Sequence, residues 1–316
     1  MRSAATGTVH DTAVGSLAQL VASWRRHLVA QRMSPATIST YSTAVTQLAR
    51  FLEGRRMPTD PPAIHREHVE AFITDLLTRW KPATAHNRYR GCQAFFGWLV
   101  EEGEVRESPM ARMKPPRLPE TPPPVLREPE LRRLLDVCER DKSFEGRRDE
   151  AVLRVFMDTG ARRGEVLGLR LEDVSLDAQT LTVTGKGSRV RRVGMGAQTV
   201  RALDRYLRAR TKHAAATLPN LWLGRKGPLR ESGMAELVRD RGHQAGLPGR
   251  LHPHLFRHAY AHSMLAAGMQ ESDLMAQAGW KSREMLTRYA ASTRSERAVA
   301  AAKALSPLDR LAEPKR

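Results

Sequence analysis

Residues 171–195 read LEDVSLDAQTLTVTGKGSRVRRVGM, and this stretch decides the architecture. Apolar and polar residues alternate through it, with turns at Leu176–Gln179 and Gly185–Ser188. A period of two broken by turn residues predicts a small antiparallel sheet. On both sides the period changes to that of helices. Upstream, helical patterns run near 128–139 and 146–159; downstream, near 197–212, 231–245, 254–267, 271–278, 282–289 and 294–304. The expected fold is therefore mainly α with a small antiparallel β-sheet, an α+β arrangement.

Further upstream the chain breaks. Residues 114–125, KPPRLPETPPPV, carry Pro at 115, 116, 119 and 122–124. No helix or central strand survives that density, so the segment reads as an extended linker. Four helical patterns precede it. Ser16 can cap the first, with Leu17, Leu20, Val21, Trp24 and Leu28 at helical spacing. Ser34 and Pro35 start the second, with Ile38, Tyr41, Val45, Leu48 and Leu52 on one face. The third runs from about His65 to Trp80 through Val69, Phe72, Ile73 and Leu76. The fourth runs from Pro82 to Glu102 through Cys92, Phe95, Phe96 and Leu99. The expected division is a flexible N-terminus at 1–15 and a four-helix domain at 16–113. A linker at 114–126, a second domain at 127–294 and a tail at 295–316 follow.

The 316 residues include 52 Lys+Arg against 34 Asp+Glu, a formal net charge of +18. Such a surplus points to a polyanionic partner, nucleic acid first. Residues 127–316 carry most of it, 36 cations against 23 anions. The cations are mostly Arg, whose planar fork holds phosphate oxygens in pairs. No apolar run is long enough for a membrane span, and the first 15 residues lack the apolar core of a signal peptide. Cys92 and Cys138 cannot form a disulfide framework. The compartment expected from these features is the cytoplasm.

The chemistry is carried by scattered short motifs. No Gly-rich phosphate loop, HExxH or GxSxG elbow occurs. His252, His254, His258 and His262 resemble a metal cluster, yet no acidic or Cys ligand accompanies them and Arg257 stands in their midst. A cation there suits an anion better than a metal. No metal or other cofactor is expected. The anion-binding candidates are Thr159-Gly160-Ala161-Arg162-Arg163-Gly164-Glu165, the turn Gly185-Lys186-Gly187, and His254-Leu255-Phe256-Arg257-His258. Gly279-Trp280 follows, and Tyr289 stands nine residues after Trp280.

This ordered set resembles the tyrosine recombinases, the group of phage integrases and Xer-type chromosome-dimer resolvases. The family pattern is Arg in TGxRxxE, a hairpin Lys in GKG, HxxR, His or Trp after Gly, and Tyr nine residues on. Each element is present here, and the resemblance spans about residues 16–305. The N-terminal domain is then a SAM-like core-binding domain, opening with Ser34-Pro35-Ala36-Thr37, and the second is the catalytic domain. Larger phage integrases carry an arm-binding domain in front. With 15 residues there, the expected architecture is the shorter, Xer-like one.

The resemblance implies a site-specific DNA recombinase working through a covalent 3′-phosphotyrosine on Tyr289. Arg162 and Arg257 clamp the phosphate, Lys186 protonates the leaving 5′ oxygen, and His254 assists proton transfer or bonds the phosphate. Most relatives have His where Trp280 stands. An indole cannot transfer a proton, so the implied role of Trp280 is orientation. Glu165 reads as a structural partner of Arg162, and His258 as a buttress. Expected DNA contacts are Thr84, His86, Asn87, Arg88 and Arg90 on the fourth helix, with Arg189 and Arg191 beside the GKG turn. The implied partner is double-stranded DNA with a specific recombination site, held by four subunits whose tails dock on neighbours. A type IB topoisomerase-like enzyme and a non-cleaving DNA-binding protein of this fold are the alternatives.

Overall fold

The computed structural model describes residues 17–119, 125–185, 187–247, 251–280, 282, 284, 286, 298–299 and 301–312. The chain separates into two compact units, Met1–Glu120 and Thr121–Arg316. The first is helical: α1 Leu17–Ala30, α2 Pro35–Gly54, α3 Arg66–Arg79 and α4 Pro82–Glu101. Ser34 caps α2 by accepting a hydrogen bond from the Thr37 amide at 3.1 Å, and Pro35 occupies the first turn. The apolar stripes meet in one core containing Trp24, Leu48, Phe72, Phe95 and Phe96. Trp24 stacks on Tyr41 and meets the edge of Phe95. Helices α2 and α4 touch at Gly91, where a Cβ would stand 2.7 Å from that of Ala44. Ser16 lies outside the described residues.

The second unit is mainly helical around a small sheet, as its periodicity implies. Its elements are α5 Glu128–Arg140, α6 Phe144–Thr159, α7 Arg163–Leu167, β1 Val174–Ser175, β2 Thr180–Gly185, β3 Arg189–Gly194 and α8 Ala197–Arg210. Then come β4 Leu223–Gly224, β5 Gly227–Pro228, α9 Glu231–Gln244, α10 Pro253–Ala266, α11 Glu271–Ala278 and α12 Pro307–Ala312. The sheet is antiparallel in the order β1-β2-β3, with Gly185 opposite Arg189 at its tip. Leu181, Val183 and Val193 face the core, packed with Phe156, Leu203, Tyr206, Trp222 and Phe256. The β4–β5 hairpin is an addition that the sequence patterns do not reveal.

Some of the arginine of this unit is structural. Arg210 is buried and donates to the carbonyls of Ala216, Leu218, Asn220 and Leu221. Arg148 and Arg241 share the buried carboxylate of Asp149. In the tail, Val299, Leu305 and Leu308 are exposed. Among the described residues no helix is long and apolar enough to cross a membrane.

Candidate active site

The site is built on two helix ends. Helix α6 stops at Gly160, in the left-handed region at φ 58°. A Cβ there would stand 2.3 Å from Cδ1 of Tyr260 on α10, so only glycine fits. The Thr159 hydroxyl secures the turn by accepting from the Ala161 amide at 3.2 Å. Helix α11 stops the same way at Gly279, φ 64°.

These turns receive the two arginines. Arg257, buried on α10, donates from Nη1 to the Gly160 carbonyl and from Nη2 to the Ala278 carbonyl, both at 2.7 Å. Its guanidinium carbon lies 5.1 Å from the centroid of the Trp280 ring, a cation–π distance. Arg162 stands just after the first turn, at the start of α7. It donates from Nη2 to the Gly279 carbonyl at 3.3 Å. Arg257 thus meets the ends of both α6 and α11, and Arg162 meets the end of α11.

Glu165 holds Arg162 in place. Its carboxylate accepts from the Arg162 amide and from Arg162 Nη1, both at 2.8 Å. The same carboxylate takes a paired contact from Arg191 on β3, at 3.0 and 2.8 Å. Burial pushes the Glu165 carboxyl up, but the Arg191 and Arg162 hydrogen bonds outweigh it and hold the group down at about 2. Arg191 also donates from Nε to the Gln277 carbonyl at 2.9 Å. All three nitrogens of the fork of Arg191, expected among the DNA contacts, donate within the protein. Arg189, at the sheet tip, is exposed.

His254 is exposed on the first turn of α10, three residues before Arg257 and on the same face. Desolvation by its surroundings, then the positive charge of His252, Arg257, Arg163 and Arg162, lowers its pKa from the usual 6.5. His258 is half-buried on the same helix. Arg163 pairs with Glu231. Lys186 and Tyr289 lie outside the described residues. Their flanks are placed: a Cβ on Gly185 would stand 3.1 Å from Glu165 Oε1, and Leu286 is buried in the cluster that holds Tyr260 and Trp280. Among the described residues no group of three His, Cys, Asp or Glu is arranged to hold a metal ion.

The candidates on α4 divide. Asn87 and Arg90 are exposed. His86 bonds the Pro116 carbonyl at 3.1 Å, and Arg88 donates to Gln47 at 2.7 Å. Thr84 is half-buried in the first turn.

Two family descriptions match the chain. "Phage integrase family" covers residues 124–296, and "Phage integrase, N-terminal SAM-like domain" covers residues 20–103. This chain belongs to the phage integrase family. Tyrosine recombinase XerC of Chromohalobacter salexigens is 32% identical over 245 residues, 76% of this chain and 80% of its own. XerC of Roseiflexus castenholzii is 30% identical over 255 residues, 78% and 81% of the two chains. Among solved structures, the XerH site-specific recombinase bound to palindromic difH substrate shares the fold, with a TM-score of 0.74 at 17% identity. That match covers 90% of this chain and 83% of that one. The Tn1549 transposon integrase in complex with transposon right end DNA gives a TM-score of 0.70 at 20% identity, covering 92% and 100%. As a phage integrase family member, the chain is a site-specific tyrosine recombinase, an enzyme of DNA strand cleavage and rejoining.

Proposed function

We propose that Tyr289 is the nucleophile of this recombinase and that Arg162 and Arg257 bind the scissile phosphate of a duplex recombination site. The observation that carries this reading is the convergence of both guanidinium groups on the Gly160 and Gly279 turns. Arg162 spends one N–H on Glu165 and one on the Gly279 carbonyl, which leaves its remaining donors for phosphate oxygens.

The Tyr289 oxygen forms a bond to phosphorus while the bond to the 5′ oxygen breaks. The leaving oxygen takes a proton from Lys186. His254, kept neutral at pH 7 by its lowered pKa, takes the phenol proton. Negative charge gathers on the non-bridging oxygens, where the two arginines face it. Trp280 packs against Arg257 and fixes its plane. The 3′-phosphotyrosine stores the bond energy, and attack by the partner strand's 5′ hydroxyl reverses the step. No nucleotide or metal enters this scheme. Four subunits on two duplexes, tails docked between neighbours, form the working assembly, alone or with a second recombinase or accessory protein.

The test is a nicked suicide duplex carrying the site, incubated with enzyme without metal. The expected product is a denaturation-resistant protein–DNA adduct that Tyr289→Phe abolishes. An undiminished adduct in that variant removes Tyr289 from the role. Recombination of two sites, rather than relaxation of a supercoiled circle without exchange, separates this reading from a topoisomerase.

A further inference from the structure

The base of the β2–β3 hairpin is held by Leu181, Val183 and Val193 in the core. Towards the tip nothing apolar is buried: Thr184, Gly187, Ser188, Arg189 and Arg192 are exposed, and Val190 is 64% exposed. The one inward side chain among the described residues of this outer half is Arg191, 16% exposed. It joins three elements. Nη1 and Nη2 meet the two oxygens of Glu165 on α7, and Nε meets the Gln277 carbonyl near the end of α11.

Glycines make room for this clamp. A Cβ on Gly279 would stand 3.0 Å from Arg191 Cζ, and one on Gly185 would stand 3.1 Å from Glu165 Oε1. The guanidinium and the carboxylate therefore lie directly against main chain on both sides. Without Arg191, Glu165 keeps its two bonds from Arg162, because those close within one turn of helix. The link that disappears is the one from the hairpin to α7 and α11.

We propose that Arg191 is a positioning residue for strand cleavage: it anchors the outer half of the β2–β3 hairpin and so sets where the GKG turn stands at the scissile phosphate. This rests on the reading of Lys186 as proton donor to the leaving 5′ oxygen. Lysine cannot replace Arg191, because an ammonium does not present a planar fork to three acceptors.

The experiment uses two nicked duplexes that differ in one atom, oxygen or sulfur at the 5′ bridging position of the scissile phosphate. A 5′ thiolate leaves without a proton. Arg191→Ala and Arg191→Lys are expected to cleave the oxygen duplex at least about 30-fold slower than the unsubstituted enzyme while binding it within about threefold. On the sulfur duplex both recover to within about threefold of the unsubstituted enzyme, as Lys186→Ala does, whereas Arg162→Ala stays slow on both. Arg191→Lys keeps stem and charge and carries the test if the Ala variant does not fold. If sulfur restores Lys186→Ala but neither Arg191 variant, the proposal is overturned. Parallel loss of binding and cleavage overturns it too and returns Arg191 to the DNA contacts, and an unimpaired Arg191→Lys also sinks it. If sulfur does not restore Lys186→Ala, the proton-donor reading itself fails and this account of Arg191 falls with it.

Discussion

Glu165 sets the acid sensitivity of the site. Its carboxyl titrates near 4.5 in an ordinary setting and at about 2 in the fold, so the unfolded chain takes up the proton first as pH falls. The stabilisation is fully present above pH 4.5 and is lost on the way down to 2. A shift of this size corresponds to roughly 3 kcal/mol. Glu165→Gln is expected to lower stability at pH 7 by about that amount and to flatten the acid limb of the unfolding curve, followed by circular dichroism. An unchanged acid limb would assign the linkage to another group. The pairing of Glu165 with Arg162 is legible in sequence, because three residues separate them at a helix start. The pairing with Arg191 is not. It joins positions 26 apart through a sheet, and alternation along β3 says which residues share a face, not what each face meets.

At the scale of elements, the long helices declare themselves through periodicity. All four in the first unit lie where their apolar stripes place them, within a residue or two. Helix α7 has five residues and β4 and β5 two each, too few to show any period. Yet α7 carries the start of the site. What the sequence does show there is a glycine, and the structure supplies its reason: Gly160 must turn left-handed under the ring of Tyr260. Gly160→Ala adds strain of about 1–2 kcal/mol for the positive φ and about 1–3 kcal/mol for overpacking. Urea unfolding is expected to show their sum, about 2–5 kcal/mol, with a larger loss of cleavage because the carbonyl facing Arg257 moves. An unshifted midpoint would mean that α6 ends in some other way.

Across the whole molecule, a charge of +18 correctly signals a polyanion but overstates how many arginines are free to meet one. Arg148, Arg210 and Arg241 are buried and spent on carbonyls and carboxylates. Composition cannot separate these from surface cations, since burial depends on tertiary packing. DNA affinity is expected to fall with salt, with a log–log slope of about −0.9 per phosphate contact. Arg90→Ala, at an exposed position, is expected to reduce the slope by about 1. Arg210→Ala is expected to leave the slope alone and to cost more than about 3 kcal/mol in folding, because the carbonyls of Ala216, Leu218 and Asn220 lose the guanidinium donor and that of Leu221 keeps only the Tyr206 hydroxyl. The reverse result would exchange their assignments.

The carbonyls of Gly160, Ala278 and Gly279 that receive Arg162 and Arg257 are all main chain, at the negative ends of α6 and α11. Much of the socket for the two proposed phosphate-binding arginines is thus written in backbone handedness, with the side chains of Glu165 and Trp280 completing it. For anyone retargeting this enzyme to a new DNA sequence, that separates two jobs. Side chains outside the site that read the DNA sequence can be exchanged, provided the two turns keep their hand and the residues around them stay.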